Sequence, residues 1–286
     1  MIVKAPAKIN LFLEILNRRQ DGYHNIESVM HTISLFDILE FEPKEENKID
    51  LICIGNYYNV SNDKNNLVYK AVIKFKEKYN INKGIKIKLT KNIPTGAGLG
   101  GGSSDAAATL VALNKIWNVN AGIKELESLG AKIGADVPFF ITGGTAKISQ
   151  IGNVVEKMKT DFNYTFILVK PSFGISTVYA YSRVKFPLTN LQKINTITKC
   201  IADGKFSVKD ARFLFFNRFE DFVFDIYPEI KLIKDTLGSL GCVSLMSGSG
   251  SCVFGLVEDI NKISYITNEL KKYDWDVWVT NSVGSL

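Results

Sequence analysis

The chain has no Cys-x-x-Cys pair. Its four cysteines, Cys53, Cys200, Cys242 and Cys252, lie far apart, with neither of the two histidines beside them. That spacing excludes a zinc site and a disulfide framework, and leaves the thiols as small buried hydrophobes in a reducing compartment. No run of five or more basic residues gathers the formal charge of +6 into one footprint, so nucleic acid is excluded as a partner and the surplus lysine is expected on solvated faces. No apolar run approaches membrane length, and no uninterrupted apolar core precedes Lys8, which excludes a membrane partner and a signal peptide. A cytoplasmic protein is expected. There is no internal repeat and no low-complexity linker. With 286 residues, 46% hydrophobic and 22% charged, the chain reads as an ordinary globular protein better divided into two domains than built on one core.

What it does have is glycine in one place. Between Ile93 and Ala108 stand Gly96, Gly98, Gly100, Gly101 and Gly102, then Ser103 and Ser104. Upstream, Ile85, Ile87 and Leu89 alternate with Lys86, Lys88 and Thr90, the pattern of a strand with one buried face. Downstream, Ala107, Leu110, Val111, Asn114 and Trp117 recur at helical steps, which predicts a helix starting near Ser103 or Ser104 with a serine as its cap. A glycine loop between a strand and a helix start lets backbone N–H groups approach an anion, with the helix dipole behind them. The competing reading is a plain surface loop. The Walker pattern fails because no lysine follows Gly102. The spacing of Gly96, Gly98 and Gly101 meets the dinucleotide fingerprint, but the strand before it alternates where a central Rossmann strand is continuously apolar. Protein-kinase elements are absent, since Asp221-Phe222-Val223 is not Asp-Phe-Gly.

Elsewhere the pattern is less pointed. Val3, Ala5, Ile9, Leu11, Leu13 and Ile15 occupy odd positions, so a regular strand turns Lys8, Asn10, Phe12 and Glu14 to the other face. Periodicity alone favours Lys8 and Asn10 as polar residues of a solvent edge. Asp21-Gly22 marks a hairpin-type turn, directly followed by Tyr23 and His24. Asp136 stands in an almost wholly apolar stretch before Val137-Pro138, where it suits a helix N-cap and needs a charged partner, for which Lys8 is the candidate. Residues 188–218 read as mostly helical. Met246 to Ser251 is a second glycine loop, which as a local pattern is a hairpin turn.

Pro94-x-x-x-Gly98-Leu99-Gly100-x-x-Ser103-Ser104-x-Ala106 resembles the central motif of the GHMP small-molecule kinases. Ala5 to Leu11, Asp21 to His24, Gly134 to Phe140 and Met246 to Val253 extend the resemblance, in order, over most of the chain. It implies a two-domain α+β fold: an N-terminal ribosomal-protein-S5-domain-2-like α/β domain (1–152), a ferredoxin-like C-terminal domain (153–286), and an active cleft between them. It implies ATP with Mg²⁺ as cofactors, the phosphates held by Pro94, Gly96, Gly98, Leu99, Gly100, Gly101, Gly102, Ser103 and Ser104. Asp136 is implied as the catalytic base and Lys8 as its cationic partner, with Asn10 and Thr177 orienting the acceptor. Tyr23, His24 and Tyr181, or Tyr179 if the register differs, are implied to hold a cytosine. The implied partner is therefore a cytidine-diphosphate sugar-alcohol, in a bacterial enzyme that is a monomer or a dimer. Asn217-Arg218-Phe219-Glu220 departs from the family's Asn-Asp-x-Glu at Arg218. Three alternatives stay open: another GHMP kinase acting on a small alcohol, a non-catalytic nucleotide-binding protein, and a dinucleotide-dependent oxidoreductase.

Overall fold

The structure is a computed structural model that describes residues 1–57, 60–160, 162–184 and 191–284, the side chain of Leu191 excepted. Two long strands, β1 (Ile2–Arg18) and β2 (His24–Lys44), pair antiparallel across a turn in which Gly22 takes φ 87°. They form the middle of a seven-stranded sheet with β3 (Ile49–Gly55), β4 (Gly84–Lys91), β5 (Thr145–Gln150), β6 (Val154–Lys157) and the short β8 (Phe216–Asn217), ordered β3-β4-β2-β1-β8 with β5 and β6 branching from β2. The parallel pair β3 and β4 is connected through α1 (Leu67–Tyr79), and the same face carries α2 (Gly101–Ile116), α3 (Ile123–Ala131) and α4 (Val137–Thr142). Val68, Val72 and Phe75 of α1 are buried with Ile85, Ile87 and Leu89 of β4, so the alternation in the sequence becomes the first core.

A second, four-stranded sheet runs β11 (Asp276–Asn281), β7 (Thr165–Lys170), β10 (Val253–Val257), β9 (Cys242–Met246). Its two central strands, β7 and β10, are buried on both faces, hence the short unbroken apolar runs Phe166-Ile167-Leu168-Val169 and Val253-Phe254. Phe166, Leu168 and Phe254 meet Ile9, Leu11 and Phe12 of β1 together with Ile194, Ile197 and Ile201 of α6 (Leu191–Ala202). On the far side, Ile167, Val169 and Val253 meet Ile230, Ile233 and Leu237 of α9 (Pro228–Ser239). The remaining helices are α5 (Thr177–Ser182), α7 (Val208–Leu214), α8 (Glu220–Ile226) and α10 (Ile263–Leu270). Of the predicted helical stretch 188–218, residues 188–190 lie outside the described residues and the rest divides into α6 and α7, the latter restarted by a capping box between Ser207 and Asp210. β6, just past residue 152, completes the first sheet by pairing with β5. Among the described residues no helix is long and apolar enough to cross a membrane.

Two local expectations are corrected. The odd-position alternation of β1 breaks at Leu11, where the register with β2 slips between Asn10 and Phe12. That bulge leaves Leu11 and Phe12 in the same core and turns Leu13 and Ile15 toward the other one. β1 is also an interior strand, flanked by β2 and β8, and Ala5 to Ile15 are all buried. Lys8 and Asn10 therefore sit inside, at 4% and 1% exposure, not on a solvent edge. The second correction concerns α2. Its cap is Gly100, at φ 72° and without a side-chain hydrogen bond, and the helix starts at Gly101 instead of at a serine. A left-handed glycine lets the chain enter the helix early, so Ser103 and Ser104 lie within its first turn.

Candidate active site

A cleft of about 1060 Å³ opens between β1, the Tyr23-His24 corner, the first glycine loop, Asp136, α5 and the second glycine loop. The first loop is held on its rear side. The N–H of Ile175 donates to Gly96 O (2.9 Å), Cys252 N–H to Ala97 O (3.2 Å) and Ser247 Oγ to Gly98 O (3.0 Å), while Lys8 N–H donates to Leu99 O (3.0 Å). At Gly98 the fit leaves no room for a side chain: φ is 73°, and a Cβ would stand 1.9 Å from Ser247 O. With no side chain capping α2 at Gly100, the first-turn N–H groups at Gly101, Gly102 and Ser103 are left for a cleft ligand.

The base of this loop rests on a buried ion cluster. Lys91 Nζ bonds Asp37 and, at 2.8 Å, Asp105 Oδ2, while Asp37 Oδ1 accepts from Asn92 N–H (2.6 Å) and Ile93 N–H (2.8 Å). Burial drives the Asp105 carboxyl well above its usual range, since Lys91 only partly offsets it and Asp37 adds like charge.

Lys8 Nζ donates to Asn10 Oδ1 at 2.5 Å, Asn10 Nδ2 to Ser28 Oγ at 2.9 Å, and Ser28 Oγ to Phe12 O at 2.6 Å. This relay locks both side chains toward the cleft. Burial lowers the pKa of Lys8 from its ordinary value, and the charge of Asp136 opposes that shift. Lys8 and Asp136 thus feel each other's charge without an ion pair within 4.0 Å. Asp136 precedes α4 but makes no capping bond, so its carboxylate is not tied to the helix either.

At the other end of the cleft the His24 ring stacks on Tyr181, centroids 5.0 Å apart and planes at 21°, and Tyr181 meets Phe219 edge-on at 5.0 Å. Tyr23 stands beside them, 60% exposed. Burial and the nearby Arg18 charge lower the His24 pKa, while burial and Asp136 raise that of the Tyr181 hydroxyl. Thr177 Oγ1 lies 3.1 Å from Ser249 Oγ, bringing α5 to the second loop. Of the sixteen predicted site residues, only Ser104 does not line the cleft: it is buried behind the loop with an unpartnered hydroxyl. Between the two candidate tyrosines the geometry favours Tyr181, because Tyr179 does not line the cleft and carries the Arg183 guanidinium over its ring (5.1 Å).

The GHMP kinases N terminal domain family matches residues 66–144, and the GHMP kinases C terminal family residues 208–273. A 4-diphosphocytidyl-2-C-methyl-D-erythritol kinase of Bacillus cereus (strain B4264) is 41% identical over 285 residues, covering 99% of this chain and 97% of the relative. The chain belongs to the GHMP kinases. Among solved structures, a 4-(cytidine 5'-diphospho)-2C-methyl-D-erythritol kinase superposes with a TM-score of 0.81 at 30% identity, covering 100% of both chains. The Methanococcus jannaschii mevalonate kinase follows the same fold, with a TM-score of 0.74 at 20% identity over 99% of this chain and 98% of its own. A homoserine kinase from Cytophaga hutchinsonii does so at 0.72 and 17%, over 99% and 94%.

Membership makes the α+β, two-domain architecture that of the GHMP kinases and makes ATP the phosphoryl donor. It leaves several groups that sequence reasoning missed. The Lys91, Asp37 and Asp105 cluster gave no local signal, since its members come from three different elements of this GHMP kinase. Arg18, on the cleft rim near His24, looked like one more charge of a polar turn. Asn217 and Glu220 were visible as a motif, but their targets were not: Asn217 Nδ2 donates to Met246 O (2.7 Å) and Gly248 O (2.8 Å), and Glu220 Oε1 accepts from Met246 N–H (2.9 Å). Among the described residues no three His, Cys, Asp or Glu side chains cluster as a metal cage. The donors present suit Mg²⁺ arriving on nucleotide phosphates, which would need only one or two protein oxygens, such as the Ser103 hydroxyl.

Proposed function

We propose that the chain transfers the γ-phosphoryl group of ATP to the 2-hydroxyl of 4-diphosphocytidyl-2-C-methyl-D-erythritol, in non-mevalonate isoprenoid precursor synthesis. The observation that carries this reading is a single cleft holding both a phosphate loop with Lys8 and Asp136 and an aromatic corner of Tyr23, His24 and Tyr181. Homoserine and mevalonate are small acceptors with no base to stack. The relative at 41% identity carries the name of the cytidyl kinase.

Phosphoryl transfer asks for positioning and charge stabilisation more than covalent chemistry. The first-turn N–H groups of α2 hold the ATP phosphates, and Mg²⁺ bound with the nucleotide would neutralise part of their charge. Asp136, free of any capping bond, accepts the proton of the acceptor hydroxyl as its oxygen bonds to phosphorus and ADP departs with the electron pair of the broken P–O bond. Lys8 stabilises charge on the transferring group, with Asn10 fixing its direction. Asn10 and Thr177 orient the sugar-alcohol, and Tyr23, His24 and Tyr181 take the cytosine by stacking and hydrogen bonds.

The test is ADP release from ATP and magnesium with the cytidyl acceptor present, absent, or replaced by homoserine or mevalonate. Release with the cytidyl compound alone is the expected result. Release with homoserine or mevalonate would move the chain to another branch of the family, and ATP binding without release from any acceptor would make it a nucleotide-binding protein.

A further inference from the structure

The fold uses the Arg218 guanidinium on two carboxylates. Nε donates to Glu14 Oε1 and Nη2 to Glu14 Oε2, both at 2.7 Å, and Nη1 reaches Asp221 Oδ2 at 2.5 Å. The planar group also lies 4.8 Å from the centroid of the Phe216 ring, and the Arg218 N–H donates to Leu13 O at 2.9 Å. Glu14 is fully buried on β1, the strand that carries Lys8 and Asn10. A charge so placed requires a matched partner, and a two-point fork fixes the direction of that partner as well as its distance.

The neighbours of Arg218 hold the opposite wall. Asn217 clamps the carbonyls of Met246 and Gly248, Glu220 takes the Met246 N–H while accepting Lys234 Nζ at 2.5 Å, and Phe219 packs against Tyr181. Segment 216–220 is thus a strap across the second glycine loop. That loop comes close to β1 at Gly248, where a Cβ would stand 3.1 Å from both Lys8 Nζ and Gly98 O.

We propose that Arg218, through its fork to Glu14, is a positioning residue for phosphoryl transfer: it sets the spacing between the strand bearing Lys8 and Asn10 and the loop Met246 to Ser251. The proposal rests on the kinase reading above. An arginine fork is not replaced by lysine, which preserves the charge but not the planar two-point contact.

The experiment compares the wild type, Arg218→Lys, and the double variant Glu14→Gln/Arg218→Met, which removes both charges of the fork together. Each is measured for thermal midpoint, for kcat and KM with ATP and the cytidyl acceptor, and for amide hydrogen exchange across 246–251 without ligand. The expected result is a kcat reduced tenfold or more at an ATP KM within twofold of wild type, with the 246–251 amides exchanging at least tenfold faster. A kcat within twofold of wild type in Arg218→Lys overturns the proposal whatever the midpoint does, because the fork would then serve stability alone. An inactive wild type would instead remove the kinase reading, and the exchange data would still decide the fork: unchanged exchange in both variants overturns it.

Discussion

Replacing Asp136 by asparagine keeps the shape of the side chain and removes both its charge and its capacity to take a proton. The structure separates what this costs the fold from what it costs the reaction. Asp136 makes no capping bond to α4 and no ion pair within 4.0 Å, so the loss of stability should stay below the roughly 1 kcal/mol of a lost cap, or about 2–4 °C in thermal midpoint. A positioned general base contributes about 10² to 10⁴ in rate, equivalent to about 3–5 kcal/mol of barrier at 1.36 kcal/mol per tenfold. Turnover should therefore fall at least about a hundredfold, with ATP binding nearly intact. A second effect follows from Lys8, whose protonated form is disfavoured by burial and supported by the Asp136 charge. Without that charge the Lys8 pKa drops further, and the alkaline limb of the residual activity should move to lower pH. The assay is steady-state ADP release across pH, with calorimetric titration of ATP into each protein. A loss of turnover below tenfold, or an alkaline limb that stays in place, would refute the reasoning.

Lys8→Met should abolish turnover yet leave the ligand-free fold no less stable, because it removes a buried cation that only Asn10 and a distant carboxylate compensate. Its folded pKa lies below 10.5, so the unfolded chain holds the proton more tightly. Wild-type stability should accordingly climb with pH in the window between the depressed value and 10.5, and denaturation midpoints of Lys8→Met should lack that rise. Tyr23→Ala and Tyr181→Ala should each raise the KM for the cytidyl acceptor about tenfold, within the roughly 1–3 kcal/mol of base stacking, at an unchanged ATP KM. A selective loss of ATP affinity would relocate the base pocket. Gly98→Ala forces a Cβ into Ser247 O at a left-handed φ, and should cost about 1–3 kcal/mol of stability together with ATP affinity. A variant with wild-type midpoint and ATP KM would show that the two glycine loops need not touch.

Much of the molecule could be read locally. The glycine loop announced a phosphate cradle because glycine, a preceding alternating strand and a following helical stripe are all short-range signals, and β4 and the α2 stripe formed as expected. The same locality explains the errors. Sequence could not show that Gly100 would cap α2, since serine and glycine both suit a helix entry and the left-handed turn is chosen by the fit against Phe140 and Lys8. Nor could it show that Asp136 would start α4 without capping it.

The sequence by itself determined the element types, the two glycine loops and the family blocks, because these depend on the order of neighbouring residues. The tertiary structure alone decided that β1 is an interior strand bulged at Leu11, that Lys8 and Asn10 are buried against the cleft, and that Asp136 faces Lys8 at a distance. It also decided that Arg218 meets Glu14 and Lys91 meets Asp37 and Asp105. Each of these depends on which strands pair and in what register, and a one-residue slip in that register moves every side chain beyond it to the opposite face.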